Sequence, residues 1–246
     1  MEHNPFSLSI TNPEEYHHKI KHDKSIDKKT LNEIEDRASR KQSLNKDAAS
    51  TTNLLRQKYI LENADAHEII ELCKNPNLHE EIQVALASGV GVLGIDESDL
   101  IYTKRALARY NTNLCEKAQV ILAQTEDDYI LNRLAIKSNL SKEVQVALAK
   151  IDNEDVHYEL ANNFNLCKEA QKLLIGASLD IRKTLAANPN LAKEMQIVLA
   201  KDSEKIVRLF LLDNVNLFKE AEQILEQDES LSKYLPRQQN ILTSHY

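Results

Sequence analysis

The sequence predicts an all-α fold, an α-solenoid of about six two-helix repeats of 25–26 residues, and three observations support this prediction. An Asn-Leu pair recurs with successive spacings of 36, 26, 26, 25 and 26 residues, and a fixed period of this size is typical of solenoids. Four glycines and five prolines in 246 residues are too few for a turn-rich β-sandwich or barrel. Leu, Ala, Glu, Lys and Gln, which favour helices, dominate the composition. The pairs are Asn77-Leu78, Asn113-Leu114, Asn139-Leu140, Asn165-Leu166, Asn190-Leu191 and Asn216-Leu217.

An amphipathic helix of about eleven residues follows each Asn-Leu pair. In the clearest unit, LSKEVQVALAK, apolar residues at Leu140, Val144, Ala147 and Leu148 form one helix face. This pattern predicts that Gln145 points outward. A glutamine nevertheless recurs five residues after the leucine in five units, at Gln83, Gln119, Gln145, Gln171 and Gln196.

A second, shorter helix precedes each pair and ends at an asparagine-rich turn. In LAANPNL, Pro189 disfavours helical geometry at Asn188, and asparagine suits a tight turn. Such short helices are marginal alone in water, so stability must come from stacking on neighbouring repeats. A leucine lies six residues before the repeat leucine in five units, at Leu72, Leu134, Leu160, Leu185 and Leu211.

The chain divides by composition into three parts. Residues 1–50 form a polar N-terminal segment that we expect to be partly mobile and partly helical. Residues 51–235 form the repeat domain, which begins with a capping helix at 52–62 and contains an insertion near 89–98. Residues 236–246 form a C-terminal tail.

The unit LDIRKTLAANPNLAKEMQIVLAKD resembles the leucine-rich-repeat variant family and is also similar to short HEAT-like repeats. The likeness covers about residues 65–228. It implies an α-solenoid, commonly bacterial, with a curved surface suited to binding, and it implies neither an activity nor a particular partner. One type of member carries a cysteine-bound iron–sulfur cluster in a separate segment. Cys73, Cys115 and Cys167 are too widely spaced to match that cluster, so we expect no cofactor.

The net charge of −7 favours a protein partner over a polyanion. Residues 1–50 hold nine basic and nine acidic residues, so the repeat domain and tail carry the whole imbalance. The N-terminus lacks the pattern of a secretory signal, and no stretch is apolar enough for a membrane helix. These features predict a cytoplasmic protein without membrane contact and leave its oligomeric state open.

The motifs that could carry chemistry are weak. Gly89–Gly94 matches G-x-G-x-x-G, but a dinucleotide site needs a βαβ unit around it, so we interpret the segment as a flexible insertion that could contact a partner. Among the clustered His17, His18 and His22, the last two are four residues apart and could share a helix face, as two zinc ligands do. No third ligand is evident, so we expect the three histidines to be solvated. Cys115 and Cys167 occupy the same repeat position two units apart and are expected to be half-buried thiols. No catalytic set is evident, which predicts a non-enzymatic protein.

One row of basic side chains is the candidate partner-binding site. Four of its members lie near the same position of the shorter helix in four units, and the fifth is two residues off that register. The four are Arg105, His157, Arg182 and Arg208, and the fifth is Arg133. The favoured interpretation of this row is nevertheless a structural Asp-Arg ladder between repeats, because an aspartate stands just before several of these positions, and a functional basic stripe is the alternative. Those aspartates are Asp128, Asp155 and Asp180.

Three functions remain after these exclusions. The favoured hypothesis is a protein–protein interaction scaffold or adaptor that uses the solenoid surface. The alternative is a HEAT-like solenoid that binds nucleic acid through the row of arginines, which the acidic repeat domain and the absence of tryptophan disfavour. An uncharacterised enzyme or enzyme subunit is the third.

Overall fold

The computed structural model describes residues 46–92 and 95–235, and all regular secondary structure within them is helical. This confirms the predicted all-α solenoid. Residues 46–50 are helical and precede the first complete helix, which begins at Leu54, close to the predicted 52–62. Most of the predicted N-terminal segment, with its three clustered histidines, and the C-terminal tail lie outside the described residues.

Thirteen α-helices lie between Leu54 and Glu226 in the described part of the chain, and a short 3-10 turn, Glu229–Leu231, follows them. The helices are α1 (Leu54–Asn63), α2 (Ala66–Cys73), α3 (Glu80–Ser88), α4 (Glu97–Tyr110), α5 (Glu116–Ala123), α6 (Asp128–Ala135), α7 (Lys142–Leu148), α8 (Glu154–Asn162), α9 (Lys168–Leu174), α10 (Leu179–Ala187), α11 (Lys193–Leu199), α12 (Lys205–Leu212) and α13 (Lys219–Glu226).

The helices form two layers. Each even-numbered helix from α2 to α10 packs against the next even-numbered helix, and the odd-numbered helices do the same through most of the chain. Most consecutive helices also pack together, so a typical repeat is one odd and one even helix joined across a shared core. Leucines and alanines of both layers fill that core, as the sequence predicted, and the stack makes helices of seven to nine residues stable.

A row of buried glutamines joins each repeat to the next. In α7, the Gln145 side chain donates from Nε2 to the carbonyl oxygens of Leu140 (3.0 Å) and Asn165 (3.1 Å). Its Oε1 accepts from the backbone N–H of Cys167 at 2.6 Å. Each amide therefore satisfies backbone groups of two repeats. We call this set the glutamine ladder, and its members are Gln57, Gln83, Gln119, Gln145, Gln171 and Gln196.

The prediction that Gln145 points outward is wrong. Its side chain lies in the core beside Val144 and Leu148, while Ala147, which the pattern placed on the buried face, is exposed. The buried face is rotated because the glutamine amide finds a full set of backbone partners there. The ladder also satisfies one of the unpaired N–H groups at the start of the odd helices. The backbone N–H of the residue before the helix, such as Cys167, binds the preceding glutamine.

Buried asparagines form a second row at the turns after the even helices. Asn188 donates from Nδ2 to the carbonyl oxygens of Ala161 (2.8 Å) and Asn163 (3.0 Å) in the preceding repeat. Its Oδ1 accepts from the N–H of Asn190 at 2.9 Å and closes the turn. We call this row the asparagine ladder, and its members are Asn75, Asn111, Asn163, Asn188 and Asn214.

Lys137 takes the place of asparagine in one repeat of this row. Its ammonium donates to the carbonyl oxygen of Asn111 at 2.6 Å, and its side chain is buried. Burial lowers the pKa of Lys137 to about 8, because the low-dielectric surroundings penalise the charged form.

We expect Lys137→Met to remove a pH dependence of stability between about pH 8 and 10.5. With its pKa lowered from 10.5 to about 8, Lys137 binds more protons in the unfolded chain than in the folded chain in this window. The free energy of unfolding of the unaltered protein therefore rises with pH there. The gain relative to the variant should be about 1–2 kcal/mol, less than the roughly 3.4 kcal/mol that about 1.36 kcal/mol per pKa unit gives over the whole window, because the surroundings of a buried amine polarise and relax more than a dry interior would. Urea midpoints measured across the window test this, and a constant difference between the two proteins would contradict it.

The insertion after α3 is built on two glycines with left-handed backbone. Gly89 ends α3 with φ 82°, and Gly91 follows with φ 81°. The extra residues form the loop to Asp96, of which residues 93 and 94 are not described, and lengthen α4 to fourteen residues.

Gly89→Ala should destabilise the protein more than Gly91→Ala. Both substitutions force a side chain into the left-handed region, which costs about 1 kcal/mol. A Cβ at Gly89 would also lie 2.6 Å from Cδ2 of Leu100, whereas nothing lies within 4 Å of one at Gly91. We expect about 2 kcal/mol for Gly89→Ala and little change for Gly176→Ala, where φ is not positive and the space is open. Equal urea midpoints for the three variants would be inconsistent with this geometry.

Candidate functional site

Three arginines of the predicted basic row are engaged in ion pairs between repeats. Nε of Arg105 donates to Asp127 at 2.9 Å, that of Arg182 to Asp202 at 2.8 Å, and that of Arg208 to Asp228 at 2.7 Å. Each aspartate lies 20 or 22 residues downstream, in the loop before the next even helix or its counterpart after α13. The hydrogen bond to Asp127 raises the pKa of Arg105 above its usual value. The hydrogen bond from Ser230, with a smaller contribution from Arg208, lowers the pKa of Asp228 below its usual value.

These contacts correct the expected identity of the ladder aspartates. Asp155 and Asp180 do not bind the arginines; both are exposed on the first turns of α8 and α10. The physical reason is the stacking direction, because an arginine on one even helix points toward the loop that leads into the next repeat rather than toward that helix's own first turn.

Arg133 and His157 break the row. Neither side chain has an ion pair with any described residue, and Nε of Arg133 and Nε2 of His157 are buried without a hydrogen-bond partner there. The Arg133 guanidinium lies 5.2 Å from the ring centroid of Tyr129. The five basic side chains therefore do not form one continuous exposed stripe, and their predicted role in partner binding stays a prediction.

Aromatic side chains mark the outer surface of the even helices, which we call the even-helix face. Tyr102 of α4, Tyr158 of α8 and Phe210 of α12 are 55, 46 and 40% exposed. Tyr129 of α6 lies in the same layer. By contrast, the odd helices from α3 to α13 contain no aromatic residue within their described bounds.

The outer surface of the odd helices, the odd-helix face, carries lysine–glutamate pairs instead. Lys58 binds Glu81 at 2.7 Å, and Lys117 binds Glu80 at 3.4 Å. Further along the stack, Lys168 binds Glu194 and Lys193 binds Glu220. Exposed pairs of this kind each contribute at most about 1 kcal/mol and are typical of a solvated surface.

An open groove of about 550 Å³ crosses the even-helix face. Helix α8 contributes Glu154, Asp155 and Tyr158, α10 contributes Asp180, and α12 contributes Phe210. Sequence reasoning did not single out the groove, although the aromatic residues of the helices before the Asn-Leu pairs were a readable signal for it. These even helices have eight to fourteen residues and the odd helices after the pairs have seven to nine, so the prediction that the even helices are the shorter ones is wrong.

The cysteines and potential metal ligands offer no second site among the described residues. All three thiols are free. Burial raises the pKa of Cys73 to about 12, and its Sγ donates to the carbonyl oxygen of Thr103. Cys115 and Cys167 are half-buried, and burial also raises the pKa of Cys115. Within residues 46–92 and 95–235, no group of three His, Cys, Asp or Glu side chains is placed to hold a metal ion.

The fold and this face define the chain as an all-α solenoid of stacked two-helix repeats with exposed aromatic side chains on several even helices. No protein-family model, curated protein or solved structure matches the sequence. Among the described helices, none has the length and apolar character required to cross a membrane.

Proposed function

We propose that the protein is a non-enzymatic protein–protein interaction scaffold or adaptor that binds its partner on the even-helix face. The observation that carries the proposal is that exposed aromatic side chains occur within α4, α8 and α12 but not within the odd helices from α3 to α13, although Tyr59 of α1 and Phe218 just before α13 are also exposed. Aromatic residues are enriched in protein interfaces because they bury a large, rigid area at low entropic cost. The opposite face has paired lysines and glutamates, which are depleted from interfaces.

The ion pairs of Arg105, Arg182 and Arg208 weaken the nucleic-acid alternative. Their charge is neutralised within the protein, so less of it is available to phosphates. The free cysteines fit a reducing compartment and support our proposal of a cytoplasmic location. Membership of the leucine-rich-repeat variant or HEAT-like families remains a proposal that depends on the repeat pattern.

Affinity capture from native cells tests the function when two surface variants are compared. The even-face variant Tyr102→Ser/Phe210→Ser removes two exposed rings, and the odd-face variant Leu173→Ser/Val198→Ser removes two similarly exposed apolar side chains. We expect a stoichiometric protein that survives nuclease treatment, is retained by the odd-face variant and is lost from the even-face variant. Recovery of nucleic acid alone, or loss of the partner only from the odd-face variant, would overturn the proposal.

A further inference from the structure

One half of the groove on the even-helix face contains an internal cation. Asp180 and Lys183 are three residues apart on α10, and the Lys183 ammonium donates to the Asp180 carboxylate. The same ammonium lies 5.9 Å from the ring centroid of Phe210 on α12. A cation held between a carboxylate and an aromatic ring gains from both the ion pair and the ring's negative face.

The other half has a carboxylate at the equivalent position but no internal cation, and the position equivalent to Phe210 holds Thr184. On α8, Asp155 and Tyr158 stand 25 residues before Asp180 and Lys183, so a tyrosine occupies the position of the lysine. The side chains of Asp155 and the adjacent Glu154 make no hydrogen bond or ion pair with any described residue. Two carboxylates and a half-exposed ring therefore line this part of the groove with no positive charge between them.

We propose that this half of the groove binds an arginine in an extended basic segment of a partner protein, with the guanidinium paired to Asp155 and Glu154 and lying against the Tyr158 ring. The inference rests on the proposed scaffold function and names the chemistry of its partner. Arginine fits better than lysine because a planar guanidinium can pair with carboxylates and stack on a ring at the same time.

The size and charge of the groove fit such a segment. Three neighbouring helices at about 8–10 Å separation span roughly 20 Å, the length of about six extended residues. The groove holds three carboxylates and one ammonium, and the whole chain is also acidic. Both features attract a basic segment and repel an acidic one.

Fluorescence anisotropy with the purified full chain tests this proposal. The probe is a labelled Gly-Ser-Arg-Gly-Arg-Ser-Gly peptide, and its counterpart carries citrulline, which keeps the shape of arginine without the charge. We expect the citrulline peptide to bind at least about tenfold more weakly. Glu154→Gln/Asp155→Asn should lower affinity for the arginine peptide about tenfold, and Tyr158→Leu should lower it several-fold.

The matched control is Glu116→Gln/Glu143→Gln. It removes the same two charges from first helical turns on the odd-helix face, and affinity should stay within about twofold. Equal losses in the two double variants would indicate general charge attraction, and equal binding of the two peptides would exclude cation recognition. Either result overturns the proposal. Failure of the arginine peptide to bind, with capture of a partner still dependent on the even-helix face, would remove this inference and leave the scaffold function standing.

Discussion

Gln145→Leu should lower the free energy of unfolding by about 3–5 kcal/mol. The substitution keeps the approximate volume but removes both donors and the acceptor of a fully buried amide. The carbonyl oxygens of Leu140 and Asn165 and the N–H of Cys167 then lose their partner, and each unsatisfied buried group costs about 1–3 kcal/mol. Urea unfolding followed by far-ultraviolet circular dichroism measures the change.

Gln223→Leu is the control, because Gln223 is exposed on α13 and lies next to the position where the ladder would continue. Its effect should be below about 0.5 kcal/mol. Equal destabilisation by the two substitutions would mean that the glutamine ladder does not hold the repeats together.

Breaking the ion pair between Arg182 and Asp202 should cost about 2–4 kcal/mol for either Arg182→Met or Asp202→Asn alone. The two side chains are only 18 and 8% exposed, so each substitution leaves a poorly solvated partner. The double variant should be less destabilised than the sum, with a coupling energy of about 2 kcal/mol. Chemical unfolding of the four proteins gives this coupling directly.

The pair between Lys117 and Glu80 provides the comparison. Its side chains are 76 and 59% exposed at a separation of 3.4 Å, so its coupling should be below about 0.5 kcal/mol. A similar coupling for both pairs would contradict a structural role for Arg182. The result also affects how binding experiments are interpreted. If an Arg182 variant no longer binds a partner protein, the loss shows that Arg182 contacts the partner only when the variant is still folded.

The repeat leucines and asparagines show which parts of the fold the sequence predicts and which it does not. Leucines such as Leu160 and Leu185 recur at fixed spacing because each fills an equivalent place in the core, so sequence alone yields the helix pairs and the turns. Asn188 was expected to favour a turn, and it does, but its contacts to the preceding repeat depend on stacking geometry that no local pattern contains.

The glutamine ladder was not predicted, because the polarity of glutamine indicated exposure to solvent although the residue recurs at one repeat position. A polar residue on an amphipathic helix is usually solvent-facing, and that rule placed Gln145 outside. Two of its three partners, the carbonyl oxygen of Asn165 and the N–H of Cys167, lie twenty or more residues away in the next repeat. The strict recurrence of glutamine at one position was the signal that the residue is structural, since a solvated position would accept many polar types.

The arginine row and the groove show the same limit. The row of basic residues is visible in the sequence. The partner of Arg182, however, is Asp202 and not Asp180, which is closer in sequence, because the loop that contains Asp202 stacks against the helix of Arg182. That stacking also brings Asp155, Tyr158 and Phe210 into the lining of one groove, which crosses two repeat boundaries. Sequence periodicity identifies equivalent positions in the repeats but does not show which side chains contact each other between repeats.

Site-specific photo-crosslinking in the native cell tests most directly whether the even-helix face binds a protein. A photoreactive benzoylphenylalanine would replace Tyr158 in one protein and Leu173, which is similarly exposed on the odd-helix face, in another. We expect a discrete, nuclease-resistant protein adduct from position 158 and none from position 173. Adducts only from position 173, or none from position 158 in a folded protein, would contradict the assignment of this face as the binding surface.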